Sequence, residues 1–364
     1  MTIIVYPQYP DLSTGNRVVA PLCRTEADNL PPSLENRKQD CYNMDGNVMT
    51  MLAKEANSMK TVQTVCGPAL PPELGHFQMH EHLFVAEGPG TQLFPALLAD
   101  DCARSAQEVA RYVSQGGGGF LDAQPVDAGR NAAMLRRIAR ASGAKIVCVT
   151  GYHLPHFYPE EHWIHSKDEE ALFARFRDEL QNGCVECREV RPGAVKAALG
   201  REGLDARAEV KLRAAARAAA EADVPIVIHT EKGVGGVEAV HLCREAGLSP
   251  ARILICHVDR QADDFAPHDA IAATGAMLEY DTIGRFKYHD DASEIRLIRH
   301  MIEGGHLAQL LLSLDTTNQR LSTYGGEIGL DYILNCFLPA LRDAGVSEEQ
   351  IRTMTIENPR RAFA

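Results

Sequence analysis

Eight short apolar segments, separated by stretches long enough for a helix, are the feature that most constrains the fold. In chain order they read FQMHEHLF, GFLDAQPV, KIVCVTGYH, GAVKAALG, VPIVIHTE, RILICHVD, GAMLEYDT and QLLLSLDT. Strands that alternate with helix-length connections form parallel β-α-β units. Eight such units fit a closed barrel better than an open, doubly wound sheet. The sequence therefore predicts an α/β fold, a (β/α)8 TIM barrel.

The connecting segments carry helix signals. NAAMLRRIARASG has apolar residues near the helical period and reaches Gly143, a residue type that commonly ends helices. VKLRAAARAAAEAD is rich in alanine, the strongest helix former. GVEAVHLCREAGLSP reaches Gly247, with Pro250 just beyond it. These three segments are predicted to be helices between strands of the barrel.

Residues 1–61 have a different character. They contain prolines at positions 7, 10, 21, 31 and 32, followed by a segment with several methionines that is long enough for one helix. No pattern of catalytic residues occurs there. We predict an N-terminal extension of unknown role, which packs on the barrel or on a neighbouring subunit, and a barrel domain over residues 62–364.

Composition excludes several classes of function. The formal net charge of -12 disfavours general binding to nucleic acid or to anionic membranes. The N-terminus lacks the pattern of a signal peptide, and no apolar run is long enough to span a membrane. Ten scattered cysteines then indicate a reducing compartment, so we expect a cytoplasmic protein. Cys184 and Cys187 have no second C-x-x-C pair and do not predict a zinc site.

Ionisable side chains stand at the C-terminal ends of most predicted strands, where barrels of this kind hold their active sites. They are four histidines, a lysine and an aspartate: His80, His82, Lys196, His229, His257 and Asp315. His80 and His82 are two positions apart, so in a strand both rings point to one face. A hydrogen-bonded histidine at 229 or a helix-capping aspartate at 315 would be ordinary. So many ionisable side chains at equivalent strand ends are unusual, because burying such groups is costly unless they are paired or bind metal.

The chemistry of these side chains predicts two metal ions. Nitrogen and oxygen ligands without thiolates suit zinc, manganese, cobalt or iron. Six ligand positions are too many for one four-coordinate ion with an open position, whereas two divalent ions sharing a bridge would use them all. A protonated lysine beside two cations is repelled, so Lys196 must be neutral or chemically modified.

Several longer stretches resemble the phosphotriesterase family of the amidohydrolase superfamily. They are TVCGPALPPELGHFQMHEHLF, VTGYH, VKAALG, VPIVIHTE, GLSPARILICHVD, LLSLDTT and the C-terminal TIENPRRAF. The resemblance covers nearly all of residues 62–363, and the N-terminal extension lies outside it. It implies a barrel of the metal-dependent amidohydrolase type and a homodimer.

In that family, CO2 carboxylates the lysine of the fourth strand, and the resulting carbamate bridges two divalent metal ions. The resemblance implies a ligand group for each ion and a shared bridge: His80, His82 and Asp315 for the first, His229 and His257 for the second, and carboxylated Lys196 between them. Water held between two cations loses a proton near neutral pH and becomes a hydroxide nucleophile. Asp315 is the expected catalytic residue, because it can accept that proton and pass it to the leaving group. The predicted reaction is hydrolysis.

The loops after the last two strands indicate the substrate. YDTIGRFKYHDD contains Arg285 and Lys287, and DTTNQRLSTYGG contains Arg320. Loops in this place often bind phosphate in barrels, although the alternative is that these are solvated charges or ion-pair partners of nearby aspartates. With Tyr152, these residues are the predicted substrate contacts. The resemblance implies activity on phosphotriesters, lactones or phosphorylated sugar lactones. Since the loops are rich in polar aromatic residues, we predict that the substrate is a small polar lactone, including phosphorylated sugar lactones.

Three alternatives remain at the level of sequence. The metal centre could hydrolyse phosphotriesters, since both substrate classes present a polarised electrophile. The barrel could bind an apolar ligand without catalysis, although a binding protein has no need for Lys196 and Asp315. A deaminase or deacetylase of the same superfamily would hold one metal ion and an unmodified lysine.

Overall fold

The computed structural model describes residues 60–364. All but the last two residues of the predicted extension therefore lie outside the described residues. The described part begins with an antiparallel hairpin of β1 (Val62–Thr64) and β2 (Gly67–Ala69).

Eight parallel strands follow the hairpin and form a nearly closed barrel. They are β3 (His76–Glu81), β4 (Gly117–Asp122), β5 (Lys145–Gly151), β6 (Ala194–Ala198), β7 (Ile226–His229), β8 (Ile253–Cys256), β9 (Met277–Tyr280) and β10 (Leu310–Leu312). Each strand pairs with the next one along the chain. The two end strands meet where the Asp315 amide donates to the His80 carbonyl at 3.3 Å. The predicted barrel is confirmed.

Helices cover the outside of the barrel. They are α1 (Pro89–Leu93), α2 (Cys102–Ser114), α3 (Ala132–Ser142), α4 (Glu169–Asn182), α5 (Ala206–Ala222), α6 (Gly236–Glu245), α7 (Ala266–Ala272), α8 (Asp291–Glu303), α9 (Leu338–Asp343), α10 (Glu348–Arg352) and α11 (Asn358–Phe363). The three helices predicted from the sequence correspond to α3, α5 and α6. As expected, α3 ends at Gly143 in the left-handed conformation, with φ of 79°.

Strand side chains alternate between the barrel interior and the helix layer. Val227 and Leu254 belong to the inner cluster, whereas Ile228 and Ile255 pack against the helices. Lys196 is two residues after the inner-cluster residue Ala194, so it also points inward. Because alternate side chains of each strand face the interior, the ionisable side chains near the strand ends point into the mouth of the barrel.

An irregularity in β3 is needed to place its histidines. Phe77 and Met79 belong to the inner cluster, so strict alternation would turn His80 outward. The register with β4 shifts between Gln78 and Glu81, as at a β-bulge. Because of this shift, Met79 and His80 both reach the interior.

Across residues 60–364, we find no helix with the length and apolar character that a membrane crossing requires. The eight cysteines in this part of the chain are free thiols: Cys66, Cys102, Cys148, Cys184, Cys187, Cys243, Cys256 and Cys336.

Candidate metal centre

One group of potential ligands is formed by His80, His82 and Asp315. Their nearest ligand atoms lie within 4.8 Å of one another, and all three residues are buried. Asp315 Oδ1 is 3.3 Å from His82 Nε2 and 4.0 Å from His80 Nε2. Ligands about 2.0–2.2 Å from a zinc ion are separated by roughly 3–4 Å, so this spacing suits a shared ion.

Lys196 lies beside this group, in the middle of β6. Its side chain is fully buried, and Nζ is 3.2 Å from His80 Nε2. Burial lowers the pKa of the amine, because the charged form loses its hydration. A neutral amine at this place is both a potential ligand and a nucleophile toward CO2.

A second group contains His229 and His257, whose ring centroids are 4.5 Å apart. Burial is the main factor that lowers the pKa of His229 to about 4, so its ring is neutral at pH 7. His257 Nδ1 is 2.6 Å from the carboxylate of Asp281, which leaves Nε2 with a free lone pair. Both rings are therefore in the form that binds metal.

Asp281 is the main site residue that sequence reasoning missed. It is fully buried, and its two oxygens lie 2.6 Å from His257 Nδ1 and 2.9 Å from His80 Nδ1. A carboxylate behind a histidine fixes the ring and its tautomer, and it strengthens the ligand nitrogen. The residue follows β9 in the segment LEYDT, so its position at a strand end was the available signal.

Arginines balance the charge of Asp315. Oδ2 of Asp315 contacts Arg285, and it lies 3.3 Å from Arg260. Burial alone would raise the pKa of this carboxyl group, but Arg285 and then His257 hold it well below its usual range. Asp315 is thus an anion, with Oδ1 toward the histidines and Oδ2 toward the arginines. Sequence reasoning missed Arg260, which also lies 3.6 Å from Glu231.

The backbone is strained at two of these residues. His257 has φ of 65° and Asp315 has φ of 45°. Both values lie in the left-handed region, which residues other than glycine rarely occupy. Such strain often occurs at functional sites, where the surrounding structure holds it in place.

A cavity of about 620 Å³ opens above these ligands. Its lining includes four apolar side chains, called the apolar wall below: Phe94, Leu97, Leu154 and Phe157. It also includes four basic side chains, called the basic wall below: Arg201, Arg260, Arg285 and Lys287. The sequence predicts polar aromatic residues here but not the apolar wall, because Phe94 and Leu97 lie in a long connection without a recognisable motif.

The predicted substrate contacts fall into two groups. Arg285 and Lys287 line the cavity. Arg320 instead donates to the carbonyls of Leu314, Asp315 and Ile283, so it holds the loops after β9 and β10 together. Tyr152 is fully buried, and its ring stacks on Phe176. The substrate contacts assigned to Arg320 and Tyr152 stay predictions.

These donors fit a pair of divalent metal ions. They provide four buried imidazoles, an ionised carboxylate and a buried amine at one mouth of the barrel, with no competing thiolate among the ligands. Asp281 supports two of these imidazoles, with its oxygens 2.6 Å from His257 Nδ1 and 2.9 Å from His80 Nδ1, as a carboxylate behind a metal ligand does. The arrangement supports a His/Asp metal site.

Comparison with known proteins agrees with this geometry. The phosphotriesterase family model matches residues 60–363. A phospho-furanose lactonase from Mycoplasmopsis synoviae (strain 53) is 27% identical over 325 residues, covering 84% of this chain and 92% of that protein.

Two solved structures are similar over most of the chain. The lactonase Lmo2620 from Listeria monocytogenes has a TM-score of 0.78 and 27% identity, covering 84% of this chain and 99% of that one. The phosphotriesterase homology protein from Escherichia coli, complexed with phosphate in its active site, has a TM-score of 0.75 and 27% identity, covering 80% of this chain and 99% of that one. The chain therefore belongs to the phosphotriesterase family and is a metal-dependent hydrolase.

Proposed function

We propose that this hydrolase opens a small polar lactone, with phosphorylated sugar lactones as the preferred class. One observation carries the proposal: the cavity above the potential metal ligands has a basic wall that includes Arg285 and Lys287. A guanidinium and an ammonium group on one wall suit a phosphate that is attached to the substrate away from the reacting bond.

The proposed ligand assignment uses the two groups at the barrel mouth. His80, His82 and Asp315 would hold one ion, His229 and His257 would hold the other, and carboxylated Lys196 would be shared between them. When bound, the divalent ions supply Lewis acidity, which lowers the pKa of water and polarises the lactone carbonyl. Zinc, manganese, cobalt and iron all suit these ligands.

The side chains of the protein supply the remaining steps. Asp315 takes the proton of the attacking water on its carboxylate and transfers it to the oxygen that leaves the ring. Asp281 holds the rings of His80 and His257 in place. Arg285 and Lys287 orient the substrate through its phosphate, so the ring carbonyl faces the metal ligands.

Two similar proteins support the proposal that the substrate carries a phosphate group. A similar protein is named for phospho-furanose lactones, and the Escherichia coli structure carries phosphate in its active site. On a chain with a net charge of -12, a basic wall at the site favours an anionic substrate.

Lys287 provides the sharpest test of the phosphate contact. It is exposed, and none of the ion pairs within residues 60–364 includes it, whereas Arg285 also contacts Asp315. Lys287→Gln should raise KM for a phosphorylated lactone by roughly 10-fold, the value of one charge-assisted hydrogen bond. KM for the same lactone without phosphate should not change.

The matched control is Lys167→Gln, an exposed lysine that does not line this cavity. Its kinetics should equal those of the wild type on both substrates. An equal rise in KM on both lactones for Lys287→Gln would contradict the phosphate contact.

The apolar wall favours a second candidate function. Phe94, Leu97 and Phe157 could hold the substituents of an uncharged phosphotriester, or a wholly apolar ligand. Assays with an uncharged phosphotriester and metal analysis separate these functions from a lactonase. A folded, metal-free protein without hydrolytic activity would leave ligand binding as the function.

We further propose a cytoplasmic homodimer. The free thiols within residues 60–364 support a reducing compartment. Light scattering on the purified chain tests the dimer.

A further inference from the structure

A second group of potential ligands lies outside the proposed metal centre. It consists of Asp259, which follows β8, His289 in the loop after β9, and Glu294 in the first turn of α8. One ligand atom from each lies within 4.8 Å of the others. Asp259 and Glu294 are fully buried, and the side chain of His289 is 5% exposed. Below we call these three residues the Asp259 cluster.

The hydrogen bonds of the Asp259 cluster do not balance when its histidine is neutral. His289 Nδ1 is 3.1 Å from the Asp290 carbonyl, which can only accept, so this hydrogen bond forms when Nδ1 carries the proton. Nε2 then presents a lone pair to Glu294 Oε2 at 3.1 Å. The Thr282 hydroxyl donates to Asp259 at 2.7 Å, so its oxygen also faces Nε2 as an acceptor, at 3.0 Å. Acceptors therefore meet without a donor between them.

Unsatisfied oxygens add an independent observation. Both carboxylate oxygens of Glu294, which is fully buried and faces His289, have no hydrogen-bond partner in the described part of the chain. The same is true of Asp259 Oδ1. Buried carboxylates without partners are costly, and proteins resolve this by protonation or by binding a cation.

We propose that Asp259, His289 and Glu294 bind a divalent cation at a site separate from the binuclear centre. A cation between His289 Nε2 and the two carboxylates would satisfy the lone pairs that face one another. Two carboxylates and one imidazole suit Mn²⁺ or Zn²⁺, since carboxylate oxygens favour the first and imidazole favours the second.

The position of the site gives it a structural role in substrate binding. His289 lies near the end of the loop that carries Arg285 and Lys287, whereas Asp259 lies three residues after β8 and Glu294 lies in the first turn of α8. A cation held by all three would tie the loop to the barrel. The cation would therefore position the basic wall without contacting the substrate.

The rival explanation is a proton. A doubly protonated His289 could donate from Nε2 to Glu294, and the site would then hold no metal. Burial, Asp259 and Asp291 raise the pKa of Glu294 well above its usual value, so this carboxyl group is a second place for the proton. Metal content distinguishes the two explanations.

The experiment compares Mn²⁺ content in matched variants. The full-length chain is loaded with Mn²⁺ alone and desalted, and manganese per chain is measured by mass spectrometry. Glu294→Gln should hold one Mn²⁺ per chain fewer than the wild type. The control, Glu303→Gln, removes an exposed carboxylate from the same helix and should keep the wild-type content. Equal content in Glu294→Gln and the wild type would overturn the proposal.

A second variant and a second background keep the result interpretable. His289→Gln removes the imidazole from the loop and should also lose one Mn²⁺, which covers the case in which Glu294→Gln does not fold. Repeating each comparison in Lys196→Ala separates the site from the binuclear centre. The difference of one ion should persist there even if the main centre is empty, and its absence in both backgrounds would show that a proton neutralises the cluster.

Discussion

Lys196 occupies a place where an ordinary charged lysine would be unstable. Its side chain is fully buried against His80, and burial lowers the pKa of its amine. We expect Lys196→Ala to lose most bound metal, because the proposed bridge between the ions is removed. A small carboxylic acid such as propionate should restore part of the metal content and the activity, because it supplies a carboxylate in place of the carbamate.

Lys211 is the control for this prediction. It is another buried lysine, but it lies over the ring of Tyr152, with Nζ 5.1 Å from the ring centroid. Lys211→Ala should lower stability and keep the metal. Full metal content in Lys196→Ala would remove the bridging role.

Asp315 combines ligand and proton-transfer roles in one carboxylate. Asp315→Asn keeps an oxygen toward His82 and tolerates the left-handed backbone, so at least one metal ion should remain. Turnover of the lactone should fall by at least ~10²-fold, the usual contribution of general acid-base catalysis. Metal analysis and kcat are measured on the same preparation, and an unchanged kcat would exclude Asp315 as the proton acceptor.

Individual site residues differed in how well the sequence predicted them. Strand-end residues such as His229 could be identified because strand periodicity and barrel topology bring them together. Asp281 was missed, although it occupies a similar strand end, because a single aspartate without a motif is not distinctive. The hydrogen bonds from Arg320 to three backbone carbonyls were not predictable, since the positions of these carbonyls depend on loop conformation.

The end of β5 must approach the neighbouring strand β6 closely. Gly151 has φ of 103°, and a Cβ atom there would lie 1.9 Å from the Lys196 carbonyl oxygen. We expect Gly151→Ala to lower the free energy of unfolding by at least ~2 kcal/mol, because the new methyl group collides with backbone. Urea denaturation measures the change.

Gly247→Ala separates this collision from backbone strain. Gly247 has a similar φ of 98°, but nothing lies within 4 Å of a Cβ atom there. Its replacement should cost only about 1 kcal/mol, from the left-handed backbone alone. Equal losses in the two variants would mean that β5 and β6 separate easily.

Strands and helices were predicted from the sequence more completely than the details of their geometry. The eight apolar segments all became strands, because parallel barrel strands are buried on both faces. The bulge in β3 was not predictable, since the segment FQMHEHLF contains no glycine or proline that would mark a break in the strand. The short helix α1 and the apolar wall beside it have no periodic signal of their own.

The contribution of His76 to the stability of the molecule should fall as the pH drops below 6.5. His76 is fully buried, with Nδ1 2.5 Å from the Tyr112 hydroxyl, and burial lowers its pKa to about 4. Between pH 4 and 6.5 the unfolded chain binds this proton and the folded chain does not, so protonation favours unfolding. The contribution of His76 to the free energy of unfolding is fully present above pH 6.5. About 3 kcal/mol of it is lost by pH 4, because each pH unit between the two pKa values costs ~1.4 kcal/mol.

His76→Gln tests the sign of this dependence. The variant should be less stable than the wild type at pH 7, because the contact with Tyr112 changes. Its free energy of unfolding should nevertheless fall less steeply between pH 6.5 and 4, as followed by urea denaturation at several pH values. Parallel curves for the two proteins would show that His76 does not titrate on unfolding.

The left-handed conformations of His257 and Asp315 have a further consequence for the history of this protein. Each costs about 1 kcal/mol, and glycine would adopt the same backbone without that cost. Catalysis and folding stability therefore favour different residues at these two positions. In a duplicated copy freed from selection for hydrolysis, glycine would be favoured there, and it would mark a lineage that kept the barrel and abandoned the chemistry.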